Sequence, residues 1–249
     1  MEKESGALSD NARFLLAKER AAAGAGQGGI GTLAEKNLHR VLKYYIEPDD
    51  TKHEVPFAGS VADVKNDDGI FEIQTGNFAN LRQKLAKFLE TCHVTVVYPV
   101  VAGTRVHWTD PGSGEVTVRR SPKHRTEAAV FRELYPIRTF LSHPGFSLRL
   151  ILLSLDDYRT LDGWDRSGKR GATKGEKIPT AILSETGLSS PGDYRRFLDG
   201  LPSPFTVREF SARHKLSDRT AAEGVHILSD LGLVRRQGKR GRAYLYTVL

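Results

Sequence analysis

Two apolar runs, "VTVVYPVVA" at 94–102 and "SLRLILLSL" at 147–155, most constrain what this chain can fold into. Each is about half the roughly 20 residues that a membrane-spanning helix needs. Runs this short and this rich in Val, Leu and Ile read as strands buried on both faces, which places helices over a sheet. The expectation is therefore an α/β chain without a membrane span.

The segments around the first run have a regular order. Leu33, Leu38, Val41, Leu42 and Tyr45 recur at helical spacing and predict a helix with one apolar stripe. Three extended runs follow, "HEVPF", "SVADVK" and "IFEIQT". Then "NFANLRQKLAKFLETC" places Leu81, Leu85, Phe88 and Leu89 on one helical face behind Asn77, a residue type favoured as an N-cap. With the strand "HVTVVYPVV" the order is αβββαβ. Residues 102–120 read as a hairpin around "TDPGSGE" and 126–141 as a helix, whereas "GWDRSGKRGATKGEK" shows no periodicity and reads as a basic, glycine-rich loop.

Ahead of this core, "DNARFLLAKERAAA" predicts a helix running into "GAGQGGIGT". Gly24, Gly26 and Gly29 there have the spacing of a dinucleotide-binding loop, but that loop must follow a strand and here it follows a helix. Residues 1–30 are thus read as a helix and hinge. One cysteine, Cys92, excludes a disulfide framework and a cysteine-built zinc site. The opening "MEKESGALSD" lacks the apolar segment of a signal peptide, so a cytoplasmic protein is expected. His39, His53 and His93 are not spaced as zinc ligands, and no serine sits in a nucleophile elbow.

The segment "ADVKNDDGIFEIQT", residues 62–75, carries the candidate chemistry. If its two strands turn around Asp67 and Asp68, Asp63 falls opposite Glu72. Two like charges facing each other across a sheet are destabilising, and a divalent cation between them reverses the sign. A turn at Asp68 and Gly69 instead sets Lys65 opposite Glu72, where a salt bridge suffices. Glu35, at the edge of the first apolar stripe, can reach the sheet margin.

This order of elements, with an Asp on the second strand and Glu-x-Gln on the third, resembles the PD-(D/E)xK, or restriction-endonuclease-like, superfamily over about residues 31–101. The resemblance implies a restriction-endonuclease-like αβββαβ core within a domain at 31–200. It makes Asp63 and Glu72 ligands of Mg2+ or Mn2+, Glu35 an auxiliary carboxylate as in some resolvases and transposon endonucleases, and residue 74 the usual site of a water-activating lysine. That residue is Gln74, which can orient a water but supplies no charge. Lys65, Arg82 and Lys84 are the nearby cations that could replace it.

The formal charge is +7, and residues 205–249 contribute nine Lys or Arg against four acids, a net +5. Thr206 and Glu209 have the spacing of a capping box, with Phe205 and Phe210 placed as a hydrophobic staple, so a helix is expected from Val207. A turn at "KLSD", a second helix to Leu231 and a hairpin around Gly238–Gly241 follow. This succession resembles a winged helix-turn-helix over 203–249. It implies contact with double-stranded DNA through Arg219 and Thr220 at the second helix and Arg235, Arg236, Lys239, Arg240 and Arg242 on the hairpin. The leading expectation is a magnesium-dependent DNA endonuclease, working as a homodimer if it cuts both strands. A nuclease fold that has lost catalysis and only binds DNA is the alternative, and RNA cleavage a third.

Overall fold

The structure, a computed structural model, describes residues 10–23, 33–122, 124–164 and 170–249, with the backbone alone for 33–36, 164, 170, 171 and 174. The glycines at 24, 26 and 29 lie outside the described residues.

A mixed α/β architecture forms around one large sheet. Its strands are β1 (His53–Phe57), β2 (Ser60–Asn66), β3 (Gly69–Ile73), β4 (Val94–Thr109), β5 (Val116–Arg120), β6 (Phe146–Trp164) and β7 (Arg170–Leu188). The order across the sheet is β1-β2-β3-β4-β6-β7. Strand β4 pairs parallel to both β3 and β6, so both apolar runs of the sequence lie in the middle of the sheet. Residues 94–97 of β4 pair with β3 and residues 105–109 with β5, which therefore share one edge.

Helices cover both faces, as strands with no polar face require. On one side α1 (Asp10–Ala23) and α2 (Leu33–Ile46) pack Phe14, Ala17, Leu38, Val41, Leu42 and Tyr45 against Val64, Phe71, Ile73, Val97, Ile151 and Leu153. On the other, α3 (Arg82–Phe88) and α4 (Phe131–Leu134), each extended by 3-10 turns, cover Ile70, Val94, Val96, Leu148 and Leu150. The αβββαβ order over 33–101 is the expected one. The cap of the α3 segment is not. Asn77 sits in the left-handed region at φ 55° with no side-chain capping bond, and its N–H donates to Glu133 Oε2 instead (2.7 Å).

Strand β7 corrects the reading of "GWDRSGKRGATKGEK" as a loop. Residues 159–164 end β6 and residues 170–177 begin β7, and the two pair antiparallel out to Trp164 and Arg170. The far end of this hairpin projects past the covering helices, where Leu161, Asp162, Gly163 and Thr173 are exposed. A strand end that buries little beyond Ala172 has almost no burial period for its sequence to record.

After a 3-10 segment at 191–198 come β8 (Phe205–Thr206), α5 (Val207–His214), α6 (Asp218–Asp230), β9 (Val234–Arg240) and β10 (Ala243–Val248), with a separate sheet ordered β8-β10-β9. The local signals here are met. Glu209 N–H donates to Thr206 Oγ1 (3.2 Å) while Thr206 N–H donates to Glu209 Oε2 (2.6 Å), and the Phe205 and Phe210 rings stack at 6.2 Å. The core does not break at residue 203. The Phe131 ring lies 4.8 Å from that of Phe197 and 5.9 Å from that of Phe210, so the C-terminal helices close onto the face that α3 and α4 cover. No helix among the described residues is long and apolar enough to cross a membrane.

Candidate active site

The register of the first three strands builds the site. Lys65 pairs with Ile70 and Asn66 with Gly69, so the chain turns at Asp67 and Asp68, and Asp63 comes opposite Glu72. The open choice of turn is thereby decided. The regular pairing of β2 with β3 stops at Val64 and Phe71, one step short of that pair. Pairing of β1 with β2 also skips this row: His53 faces Val64 and Val55 faces Ala62, leaving Glu54 beside Asp63. The sheet thus opens at the one row that carries Glu54, Asp63 and Glu72.

Carboxylates take over the hydrogen bonds that the ladder gives up. Ile73 N–H donates to Asp63 Oδ2 (2.8 Å), and Asp63 N–H donates to Glu72 Oε1 (3.3 Å). Without them two backbone donors in a buried region would lack partners, at about 1–3 kcal/mol each. Both side chains are held by backbone rather than by surface contacts, which fixes their positions.

Helices on the two faces supply the basic partners. His39 Nε2 on α2 lies 3.2 Å from Asp63 Oδ2, and Lys84 Nζ on α3 donates to Glu72 Oε2 (2.6 Å). Lys43, one turn beyond His39, is buried and pairs with Glu54. Glu72 is wholly buried, and burial together with the neighbouring Asp63 charge pushes its carboxyl up to about 7 against the pull of Lys84. At Asp63 burial also pushes upward, but the hydrogen bond and charge of His39, the Ile73 N–H and Lys84 outweigh it and hold the acid below its usual range. One carboxyl is thus poised near neutrality beside another that stays ionised. Burial lowers the Lys43 ammonium, with Asp63 and Glu72 opposing the effect.

Gln74 prolongs β3 through its N–H to Val97 O (2.9 Å). Of the three cations named as replacements for a lysine at 74, Lys84 reaches Glu72. Lys65 lies over the Phe57 ring at 5.3 Å, and Arg82 is exposed. The side chain of Glu35 lies outside the described residues, although its backbone is in the first turn of α2. Lys43, Glu54 and the contact of His39 were not foreseen. Positions 35, 39 and 43 recur every four residues, a spacing that puts them on one helix face and could have revealed them.

Among the described residues, no group of three or more His, Cys, Asp or Glu is arranged to hold a metal ion. The donor set still fits magnesium or manganese, which commonly take one or two protein carboxylates and complete their shell with water and phosphate. Among the described residues both hydrogen bonds to Asp63 fall on Oδ2, leaving Oδ1 for a cation beside Glu72.

The basic residues of the C-terminal segment stand apart from this cluster in sequence and largely in solvent. Arg235, Arg236, Lys239, Arg240 and Arg242 on β9 and the following turn are exposed, and no acid occurs between 233 and 249. Arg236 lies 3.2 Å and Lys239 4.9 Å from the centre of the Tyr244 ring, while Arg240 pairs with Glu209 (3.0 Å). Arg219 is exposed and pairs with Glu223 (3.0 Å). Thr220 is turned inward: it is buried, and its Oγ1 lies 2.9 Å from Ser217 Oγ at the helix cap.

Residues 36–189 match a family described as Domain of unknown function (DUF8091). The chain belongs to that family. The DUF8091 segment contains the whole carboxylate cluster and the long β4, β6 and β7 strands, and it ends before the C-terminal helices. An uncharacterized protein of Treponema pallidum (strain Nichols) is 30% identical over 225 residues, covering 87% of this chain and 86% of its own length. At 87% of this chain, the likeness to that relative extends beyond the DUF8091 segment. No solved structure matches this chain.

Proposed function

We propose that this chain is a divalent-cation-dependent nuclease of the PD-(D/E)xK type, in which a C-terminal winged helix holds duplex DNA. The observation that carries the reading is the opening of the sheet at Asp63 and Glu72, with Lys84 donating to Glu72. Lys84 brings to the second carboxylate the positive charge that Gln74 does not. The β8-β10-β9 sheet behind α5 and α6, with a basic strand at its edge, supports the DNA-binding half of the reading.

Asp63 and Glu72 would hold Mg2+ or Mn2+, with Glu35 as a further carboxylate on α2. When bound, such an ion lowers the pKa of a water and neutralises charge on a phosphate. Asp63, fixed by the Ile73 N–H and ionised, presents Oδ1. Lys84 stands where it can donate to a phosphate oxygen as charge develops there. Thr220, buried in the cap, takes no part in reading bases, which leaves Arg219 and the basic strand for the backbone and groove.

Incubation of the protein with supercoiled plasmid, and separately with duplex RNA, in the presence of Mg2+ tests the reading. Nicking or linearisation of the plasmid that Asp63→Asn abolishes is expected. Retention of the plasmid without cleavage would favour a DNA-binding protein on a nuclease fold, and cleavage confined to RNA would favour the third class. Cleavage that survives Asp63→Asn overturns the proposed site.

A further inference from the structure

Glu54 has two unusual properties at once. Its φ is 51°, in the left-handed region that costs a side chain on the order of 1–3 kcal/mol, and it occupies the row of Asp63 and Glu72 where the β1–β2 pairing is skipped. Its carboxylate is exposed, yet it pairs with Lys43, whose ammonium is buried and feels the charges of Asp63, Glu72 and Lys84. A strained backbone thus places an acid over a buried lysine on which the charges of Asp63 and Glu72 also act.

We infer that Lys43 is the resident counter-ion of the Asp63–Glu72 pair and that Glu54 is a positioning residue, drawing Lys43 aside so that the pair can accept a divalent cation. The inference rests on the metal reading above. The charges of Asp63 and Glu72 both act on the buried Lys43 ammonium, so without Glu54 that ammonium is left to those two acids, and a divalent cation entering between them meets a positive charge that it must displace.

The test is Mn2+ binding to the full chain, followed by titration calorimetry and by the spin-resonance signal of free Mn2+. The variants are E54Q, K43M, the double variant and D63N, each checked for its fold by circular dichroism. Parent binding that D63N removes is expected. E54Q should weaken it by about five- to tenfold and K43M strengthen it by a similar factor. In the K43M background E54Q should have no further effect, because Glu54 acts through Lys43. An E54Q loss that persists undiminished in that background makes Glu54 a direct ligand and overturns the inference. D63N-sensitive binding that neither E54Q nor K43M shifts overturns the inference and leaves the metal reading standing. No Mn2+ binding by the parent overturns both.

Discussion

At the scale of residues, Glu72 gives the sharpest pH test. Its carboxyl is pushed up to about 7 from an ordinary 4.5 by burial and by Asp63. A group with a raised folded pKa binds its proton more tightly when folded. Its stabilisation is complete below about 4.5 and is lost as pH rises through about 7. Glu72→Gln keeps the shape without the charge. Urea unfolding should therefore find the variant equal to the parent near pH 4.5 and more stable near pH 8.5, by on the order of 1–2 kcal/mol. A variant that is less stable at the higher pH would mean that the Lys84 pair outweighs the burial. Replacing Lys84 by Gln should leave DNA binding intact and lower the cleavage rate by about 10²–10³, as loss of one charge-stabilising donor does. Gly224 carries a packing prediction: an added Cβ would lie 3.0 Å from two carbons of the buried Phe131 ring. Gly224→Ala should lose about 1–2 kcal/mol despite its better helix propensity, read from the denaturation midpoint.

Among the elements, those with strong local signals were legible from sequence. The α5 capping box has both of its reciprocal bonds, and Thr206→Ala should cost about 1 kcal/mol in unfolding free energy. The α2 stripe, the three short strands and β4 were readable because each buries one face or two, and burial imposes a period on the sequence. Strand β7 was not, since its first residues bury little and its glycines and lysines resemble a loop. Asn77 misled for a related reason: Asn is as favourable in the left-handed conformation it adopts as at the N-cap expected of it. At the site, parity along the strands made the Asp63–Glu72 pair readable. Lys84 was readable only as one of three nearby cations, and the spacing of positions 39 and 43 marks a face of α2 without saying what that face meets; Glu54 joins from β1 through a contact between separate elements, which leaves no spacing in the sequence.

For the whole molecule, the continuous core is the consequential feature. Phe131 lies against both Phe197 and Phe210, so the C-terminal segment is built onto the DUF8091 domain and not merely tethered to it. A chain ending at residue 202 should expose these rings, bind a hydrophobic dye and unfold at a lower temperature than the full chain. An unchanged melting temperature would show that the two parts fold independently. The most direct measurement of the central claim is single-turnover cleavage of a labelled duplex in Mg2+ by the parent, Asp63→Asn and Lys84→Gln. The account predicts metal-dependent cleavage by the parent, none above background for Asp63→Asn, and a rate reduced by about two to three orders of magnitude for Lys84→Gln. Equal rates for all three, or cleavage undiminished by removing the metal with a chelator, would contradict it.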